Sequence, residues 1–490
     1  MADARIVKDV ELRQLAESEN AAMAYAFPST PKGFTKNRVE YNRPLVLDLR
    51  TLAQHIDKVL LFSHMEMPVR DVQRVLSGKT GQAISRVDRS VMSGMIMPWL
   101  NRSARQKVET PVSGDAGLSR FFSVMRSRAG AALMFGNLVN AAQQIAGFPL
   151  AALKVRPKLL LEAAADYMKS PGEMSRAVAE ASVFMAGRME NEVATMNDAI
   201  NDVLLNPSLL ERGQAWTMRH AYFMQSAFDN VMSPIIWTAA YNQAAAKGFS
   251  HADAVRLGDS AVRQTQGSTM PEDVSRLETG PAFVRLFTQF TGYFNMWANL
   301  LGTEYVKLVR DIGLRKGYGR AVYIYMMGFM APIIVSDAIA LMFRGGPEDE
   351  DGDGEYLDDW LASLLVFAPL RSVTAMIPVV GTVINAAVNA WNNKPYDDRL
   401  AASPAVSLLE SAIQAPRSVY RAITGEGSSQ KSVRDVATLT SMSLGLPVAN
   451  LVARPVGYAA GVADEKTEPT GPVDALRGAF TGVASPDSKR

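Results

Sequence analysis

The sequence predicts an all-α protein, an elongated multi-helix assembly with long helices and one apolar helical hairpin. Three observations predict it. Apolar residues recur at alternating steps of three and four over most of the chain, the spacing of a helix face. No segment with the two-residue period of a strand stands out. Two long apolar blocks, Ala321–Phe343 and Trp360–Trp391, flank a dense acidic run, Glu348–Asp359.

Composition limits the function classes. The 490 residues carry 51 basic and 49 acidic side chains, a net charge of +2, so no global field points to nucleic acid. Mean hydropathy is zero, which suits a mostly water-borne chain with one or two membrane-active segments. There is no cysteine, which excludes disulfides and thiolate metal sites and is compatible with an oxidising compartment. The first residues contain no apolar core of a secretory signal.

Taken in order, residues 1–44 read as an N-terminal helix and linker, with Pro28, Pro31 and Gly33 ending the helix. Residues 45–128 form a helical subdomain. Leu45, Leu49, Leu52, Ile56 and Val59 mark its first helix, Pro68 starts a second, and a third spans Gly81–Leu100. Its end, residues 102–128, interleaves arginines and a lysine with Phe121, Phe122 and Met125. Such a stretch suits anionic lipid or nucleic acid, although a solvated face over a core is the commoner case.

Residues 129–320 read as a long-helix core. Ala129–Val155 is free of charge except Lys154, and its Asn and Gln residues favour a buried helix over a span. A long helix is expected over Gly172–Asn206, with Met185, Met189, Val193, Met196, Ile200 and Val203 as its stripe. Another runs over Gly213–Gly248 with a kink at Pro234, and Ser250 with Asp253 makes a capping box for the next. The strongest periodicity follows in Phe283, Phe287, Phe290, Phe294, Trp297, Leu301, Tyr305, Leu308 and Ile312. This aromatic seam demands a partner helix.

Residues 321–392 form the apolar hairpin. Its first arm has the roughly 20 residues needed to cross a bilayer core. Its markers are Tyr323, Phe329, Pro332, Asp337 and Phe343 in the first arm, and Leu365, Phe367, Arg371 and Pro378 in the second. Two readings stand: a membrane-inserting hairpin, or a buried hairpin in a soluble bundle, which Pro332, Asp337 and Arg371 favour because charges at mid-membrane are costly. Arg310, Arg315, Lys316 and Arg320 precede it as a basic flank that would stay on the cytoplasmic side of an inserted hairpin. Residues 393–490 read as a Pro-rich C-terminal region with a short helix near Val406–Ile413 and a disordered tail from Asp464.

No catalytic motif emerges. His55, His64, His220 and His251 are isolated, and there is no phosphate-binding loop, nucleophile elbow or dinucleotide fingerprint. Asp349, Asp351, Asp353 and Gly354 open like a calcium loop, but Trp360 stands where the bidentate glutamate belongs, so an acidic solvated turn is expected. The expectation is a non-enzyme with no cofactor and no metal.

Three segments carry a family likeness: Trp237 with Tyr241-Asn242, Ala261–Gly267 (AVRQTQG), and Phe287-Thr288-Gln289-Phe290 with Tyr293-Phe294-Asn295. Together they resemble the C-terminal part of the internal virion, or DNA-ejection, proteins of short-tailed phages and of related prophage polyvalent proteins. Asp48–Leu76, Asn137–Gly147 and Ile377-Pro378 with Gly381 resemble that group more weakly, so the likeness covers about residues 45–400. The resemblance implies a protein stored inside the capsid and released ahead of the genome. It implies assembly in the host envelope or inner membrane as part of a conduit for DNA. The implied partners are further copies of the chain, other virion, portal or ejection proteins, the host membrane, and DNA through non-specific contact. The wall-cleaving module often found upstream in such proteins is not expected here. The second reading is a structural helical virion protein around the portal that never enters lipid.

Overall fold

The computed structural model describes residues 49–105, 116–189, 214, 216–217, 220–267, 273–274, 276–279, 282–288, 291–344, 361, 364–365, 404–424, 429–463, 465, 467–482 and 484–488. Of the described chain 85% is helical and none of it is strand, so the protein is all-α. It forms two compact units, Met1–Asp115 with Ser268–Pro281, and Ala116–Gly267 with Ala282–Arg490.

In the first unit, α1 (Leu49–Leu76) runs unbroken through Pro68 rather than restarting there. Helix α2 (Lys79–Val87) ends at Asp88, whose extended backbone breaks the expected Gly81–Leu100 helix. The Asp88 carboxylate then caps the next turn by accepting from Ser90 N–H at 2.8 Å. A π turn at Met92–Ile96 leads into α3 (Met97–Arg105). Val69, Leu100 and Ala104 make this unit's core, with Leu76 against them. Arg102, expected on a basic surface, is buried and donates to Thr279 Oγ1 at 3.4 Å.

The second unit begins with α4 (Ala116–Met134), so the basic stretch is divided between units rather than forming one element. Nor is Ala129–Val155 one helix. Gly136, at φ +67, ends α4 in the left-handed region that favours glycine. The short α5 (Leu138–Ala142), a 3₁₀ segment at Gln143–Gly147 and the single turn α6 (Phe148–Ala151) follow. Leu150 and Ala151 are wholly buried, as the apolar composition requires. Then come α7 (Pro157–Lys169) and α8 (Pro171–Ala181).

The expected Gly172–Asn206 helix breaks at Ser182. Its extended backbone lets Oγ cap the following turn, accepting from Met185 N–H at 3.1 Å while donating to Asp259 at 2.6 Å. The methionine stripe beyond Met189 lies outside the described residues, as do residues 1–48 and the acidic run at 348–359.

The centre of the second unit is a helical hairpin of α9 (Phe223–Ala245, with Pro234 inside) and α10 (His251–Thr265). The Ser250–Asp253 capping box forms, with Ser250 Oγ accepting from Asp253 N–H at 3.2 Å. Trp237 stacks on Tyr241 at 5.1 Å and donates to Asp259 at 2.8 Å, while Ile236, Val262, Leu160 and Met185 fill the core beneath. Arg188 grips the Asp229 carboxylate with two nitrogens and also donates to the Gly267 carbonyl at 2.6 Å. The Trp237–Asn242 and Ala261–Gly267 segments are therefore packing and capping elements of one hairpin.

Helices α11 (Ala282–Thr288), α12 (Thr291–Asp311), α13 (Tyr318–Tyr325) and α14 (Ala331–Arg344) follow, with a π turn at Met326–Met330 joining the last two. The C-terminal region holds α15 (Pro404–Ile423), α16 (Ser429–Leu444), α17 (Arg454–Ala463) and α18 (Pro472–Thr481). The tail expected to be disordered thus contains a helix, α18. It packs on α17, with Tyr458 closed over Gly478 and the Arg477–Asp474 ion pair nearly buried at 2.6 Å.

Two substitutions check the hairpin core. Ile236→Ala deletes a wholly buried side chain and is expected to cost about 2–5 kcal/mol. Asp259→Ala orphans the donors of Trp237 and Ser182 and is expected to cost about 1–3 kcal/mol. Urea denaturation reads both, and unchanged midpoints would place the core elsewhere.

Candidate membrane-facing site

The site is built around a continuous helix, Tyr318–Phe343, that joins α13, the π turn and α14. Among the described residues it alone is long and apolar enough to cross a membrane, with 26 residues and a mean hydropathy of 1.9. Only 33% of its apolar window is buried. Its buried residues are Ile324, Gly328, Met330, Pro332, Ile333, Asp337 and Ala340. The π turn at Met326–Met330 lies within this run, between Ile324 and Pro332.

Pro332, four residues on, has no N–H to give the Gly328 carbonyl its helical bond, and a neighbour supplies one. Trp297 of α12 donates its indole N–H to the Gly328 carbonyl at 2.5 Å. The approach needs glycine: a Cβ at 328 would lie 2.5 Å from Leu301 Cδ2 and 2.9 Å from Leu153 Cδ1. Trp297 also meets Phe329 at a ring separation of 5.8 Å, which joins α12 to the apolar helix, and it packs on Tyr293 and Phe294 of its own helix at 6.1 and 6.3 Å.

The aromatic seam is only partly this interface. Trp297 is buried, Phe294 and Leu301 are half-buried, and Phe283 is 52% exposed, edge-on to Phe122 of α4. The Phe287 and Phe290 side chains lie outside the described residues. Tyr305 and Ile312, at 48% and 52% exposed, leave the seam altogether. The true buried line of α12 is Trp297, Leu300, Glu304 and Leu308. At about 100° per residue, Tyr305 falls roughly 100° round the helix from Glu304, on the outer side.

Glu304 is the residue that periodicity could not place in a core. It is 8% exposed and accepts from Lys154 Nζ at 2.7 Å and from Arg320 Nη2 at 3.0 Å, with Lys307 3.6 Å away. Burial pushes its carboxyl up, but the bonds from Lys154 and Arg320 outweigh it and hold the group below the usual glutamate range. Lys154 had a signal of its own, as the lone charge in an apolar stretch, and such a charge implies a buried partner.

The same cluster caps a helix end. The carbonyls of Ala152, Leu153 and Lys154 accept from Tyr323 Oη at 2.7 Å, Arg320 at 3.2 Å and Gln243 Nε2 at 3.1 Å, in that order. At the opposite end of the apolar helix, Arg477 donates to the Phe343 carbonyl at 3.1 Å. Arginines therefore pin both ends.

Of the expected hairpin markers, Tyr323 and Phe329 are half-buried in these contacts, Pro332 and Asp337 are buried, and Phe343 is half-buried. Asp337, 6% exposed, is turned to the protein interior. In the second arm Leu364 is buried against the Trp297 cluster and Leu365 is 58% exposed. Phe367, Arg371 and Pro378 lie outside the described residues.

The outer face is apolar and open. Tyr318, Val322, Tyr325 and Met326 form an exposed stripe on the helix, and Val306, Val309, Ile312 and Leu314 of α12 and the turn after it are exposed as well. Of the basic flank, Arg310 pairs with Asp311 at 2.7 Å and Arg320 with Glu304, while Arg315 and Lys316 are exposed. An apolar stripe with basic residues beside it is the composition of a surface that lies on anionic lipid.

Comparison of the chain with protein-family models, with curated proteins and with solved structures gives no match. Among the described residues no cluster of potential metal ligands occurs.

Glu304→Ala leaves the largely buried Lys154 ammonium unpaired and is expected to cost about 3–5 kcal/mol near neutral pH. Since the folded carboxyl titrates below its unfolded value, its contribution is complete above about pH 4.3. It is lost as pH falls through the lower folded value. The stability gap between wild type and Glu304→Gln should therefore close in acid. A gap of constant size down the pH series would rule out charge as its origin.

Proposed function

We propose that this chain is an internal virion protein of the phage DNA-ejection type, which contributes to a conduit for DNA through the host envelope. The observation that carries the reading is the Tyr318–Phe343 helix. Its polar groups, Asp337 and the Gly328 carbonyl, point inward, while an apolar stripe flanked by Arg315 and Lys316 is left in the open. The likeness of Trp237–Gly267 and Phe287–Asn295 to that family supplies the biological setting. The role is one of assembly rather than catalysis, with further copies of the chain, other virion proteins and the host membrane as partners.

A second reading has its own support. Pinning by Arg320 and Arg477, together with the burial of Asp337, suits a helix that stays docked, as in a scaffold around the portal that never meets lipid.

Flotation of the purified chain with liposomes separates the two. The conduit reading expects the chain to rise with vesicles. Val322→Glu with Tyr325→Glu should weaken that association at least about tenfold, because a carboxylate against lipid costs about 2.5–3.5 kcal/mol at full depth and less near the interface. A wild-type chain that stays at the bottom of the gradient leaves only the scaffold.

A further inference from the structure

A pocket of about 510 Å³ opens beside the N-terminal end of the apolar helix, and its lining is unusual in charge. Lys154, Arg156, Lys247 and Arg320 border it, and no carboxylate does. Glu304 binds Lys154 and Arg320 from behind, which leaves one negative charge against four positive ones. Arg156 and Lys247 are exposed and make no ion pair among the described residues.

Like charges gathered at one spot repel, and here the backbone beneath them is held against that repulsion. Gln243 clamps the Lys154–Arg156 loop from both sides, donating to the Lys154 carbonyl at 3.1 Å and accepting from Arg156 N–H at 2.9 Å. Tyr323 and Arg320 strap the preceding carbonyls. The loop runs directly into α7, whose N-terminal position is Arg156 and whose first turn has no side-chain cap, so the positive end of that helix dipole adds to the field.

We propose that this pocket binds a phosphate group, with the exposed Arg156 and Lys247 as its ligands and Lys154 and Arg320 as its floor. Guanidinium and ammonium groups converging without a carboxylate are the donor set that phosphate recognition uses. Two sources present that chemistry, inorganic phosphate and the headgroup of an acidic phospholipid. Arg320 and Tyr323 belong to the apolar helix itself, which would set a lipid headgroup beside the exposed stripe. The lipid source rests on the membrane reading above, and the phosphate site does not.

The test uses the full chain and three variants: Arg156→Gln, Lys247→Gln, and Arg315→Gln with Lys316→Gln as a control for lost charge outside the pocket. Titration with inorganic phosphate, read by thermal shift, is expected to stabilise wild type and the control alike. Each pocket substitution should raise the apparent Kd roughly tenfold, the loss of one charge-assisted bond. No response to phosphate, or equal responses in all four proteins, would overturn the site. Flotation with phosphatidylcholine vesicles, with and without phosphatidylglycerol, then tells the sources apart. If the pocket variants lose the preference for phosphatidylglycerol, the ligand is a lipid headgroup. If they keep it while losing the phosphate response, the ligand is free phosphate. A chain that floats on no vesicle but still answers phosphate removes the membrane reading and leaves the pocket.

Discussion

A carboxylate in the middle of a buried helix face sets the terms for the second unit. Glu304 sits between Leu300 and Leu308 on the inner line of α12, where an unpaired charge would cost several kcal/mol. It is tolerated because Lys154 and Arg320 reach it from two other elements. Those side chains also satisfy backbone: Arg320 caps Leu153, and the Lys154 carbonyl is capped by Gln243 from α9. One ion-pair cluster thus fixes the position of α12, the end of α6, the start of the apolar helix and the hairpin of α9 and α10. Buried ion pairs contribute little net stability but impose strict geometry, and geometry is what a joint between four elements requires.

The apolar helix obeys the same accounting of polar groups one level down. It packs against both α12 and the 3₁₀ segment at Gln143–Gly147. Pro332 leaves the Gly328 carbonyl, inside the π turn at Met326–Met330, without a helical donor, and Trp297 supplies one. Gly328 belongs to the same solution, because Leu153 and Leu301 fill the space a side chain would take. Hydrogen bond and close packing are thus met together by Pro332, Gly328 and Trp297.

The fold class was legible because helical periodicity is a local property, and the α9–α10 hairpin showed its cap at Ser250 and Asp253 in the letters themselves. What was not legible depended on neighbours far along the chain. Ser182 breaks a helix inside an Ala- and Met-rich run with no glycine or proline nearer than Gly187, because Asp259 and Met185 offer its hydroxyl better bonds. The π turn is invisible to a fixed-period reading, and a seam drawn at regular steps therefore included Tyr305 and Ile312 in place of Glu304. Composition predicted disorder after Asp464, yet Pro472 opens a helix that Tyr458 and the nearly buried Asp474–Arg477 pair hold in place. The apolar helix itself was marked by length, and the inward turn of Asp337 by the cost of a lipid-facing charge. The phosphate-type pocket gave no signal, since Lys154, Arg156, Lys247 and Arg320 are scattered over three segments of sequence.

The packing also limits how the chain can meet a membrane. With its inner residues docked, the apolar helix leaves Tyr318, Val322, Tyr325, Met326 and Met342 exposed among the described residues. Crossing the bilayer would require the helix to leave Trp297, Leu300 and Leu308, break the Arg320 and Arg477 pins and expose Asp337. Apolar burial lost from protein is largely regained in lipid, so the hydrophobic term opposes this little. The polar terms oppose it strongly, because the Gly328 carbonyl and Asp337 find no partner in hydrocarbon. A spanning state is accessible only if another surface replaces those partners, and in an assembly of identical chains the available replacement is the inner stripe of a neighbouring copy. Under the proposed conduit role, surface contact by one copy and insertion by an assembly would therefore be separate steps, with the inner residues passing from α12 to another copy between them.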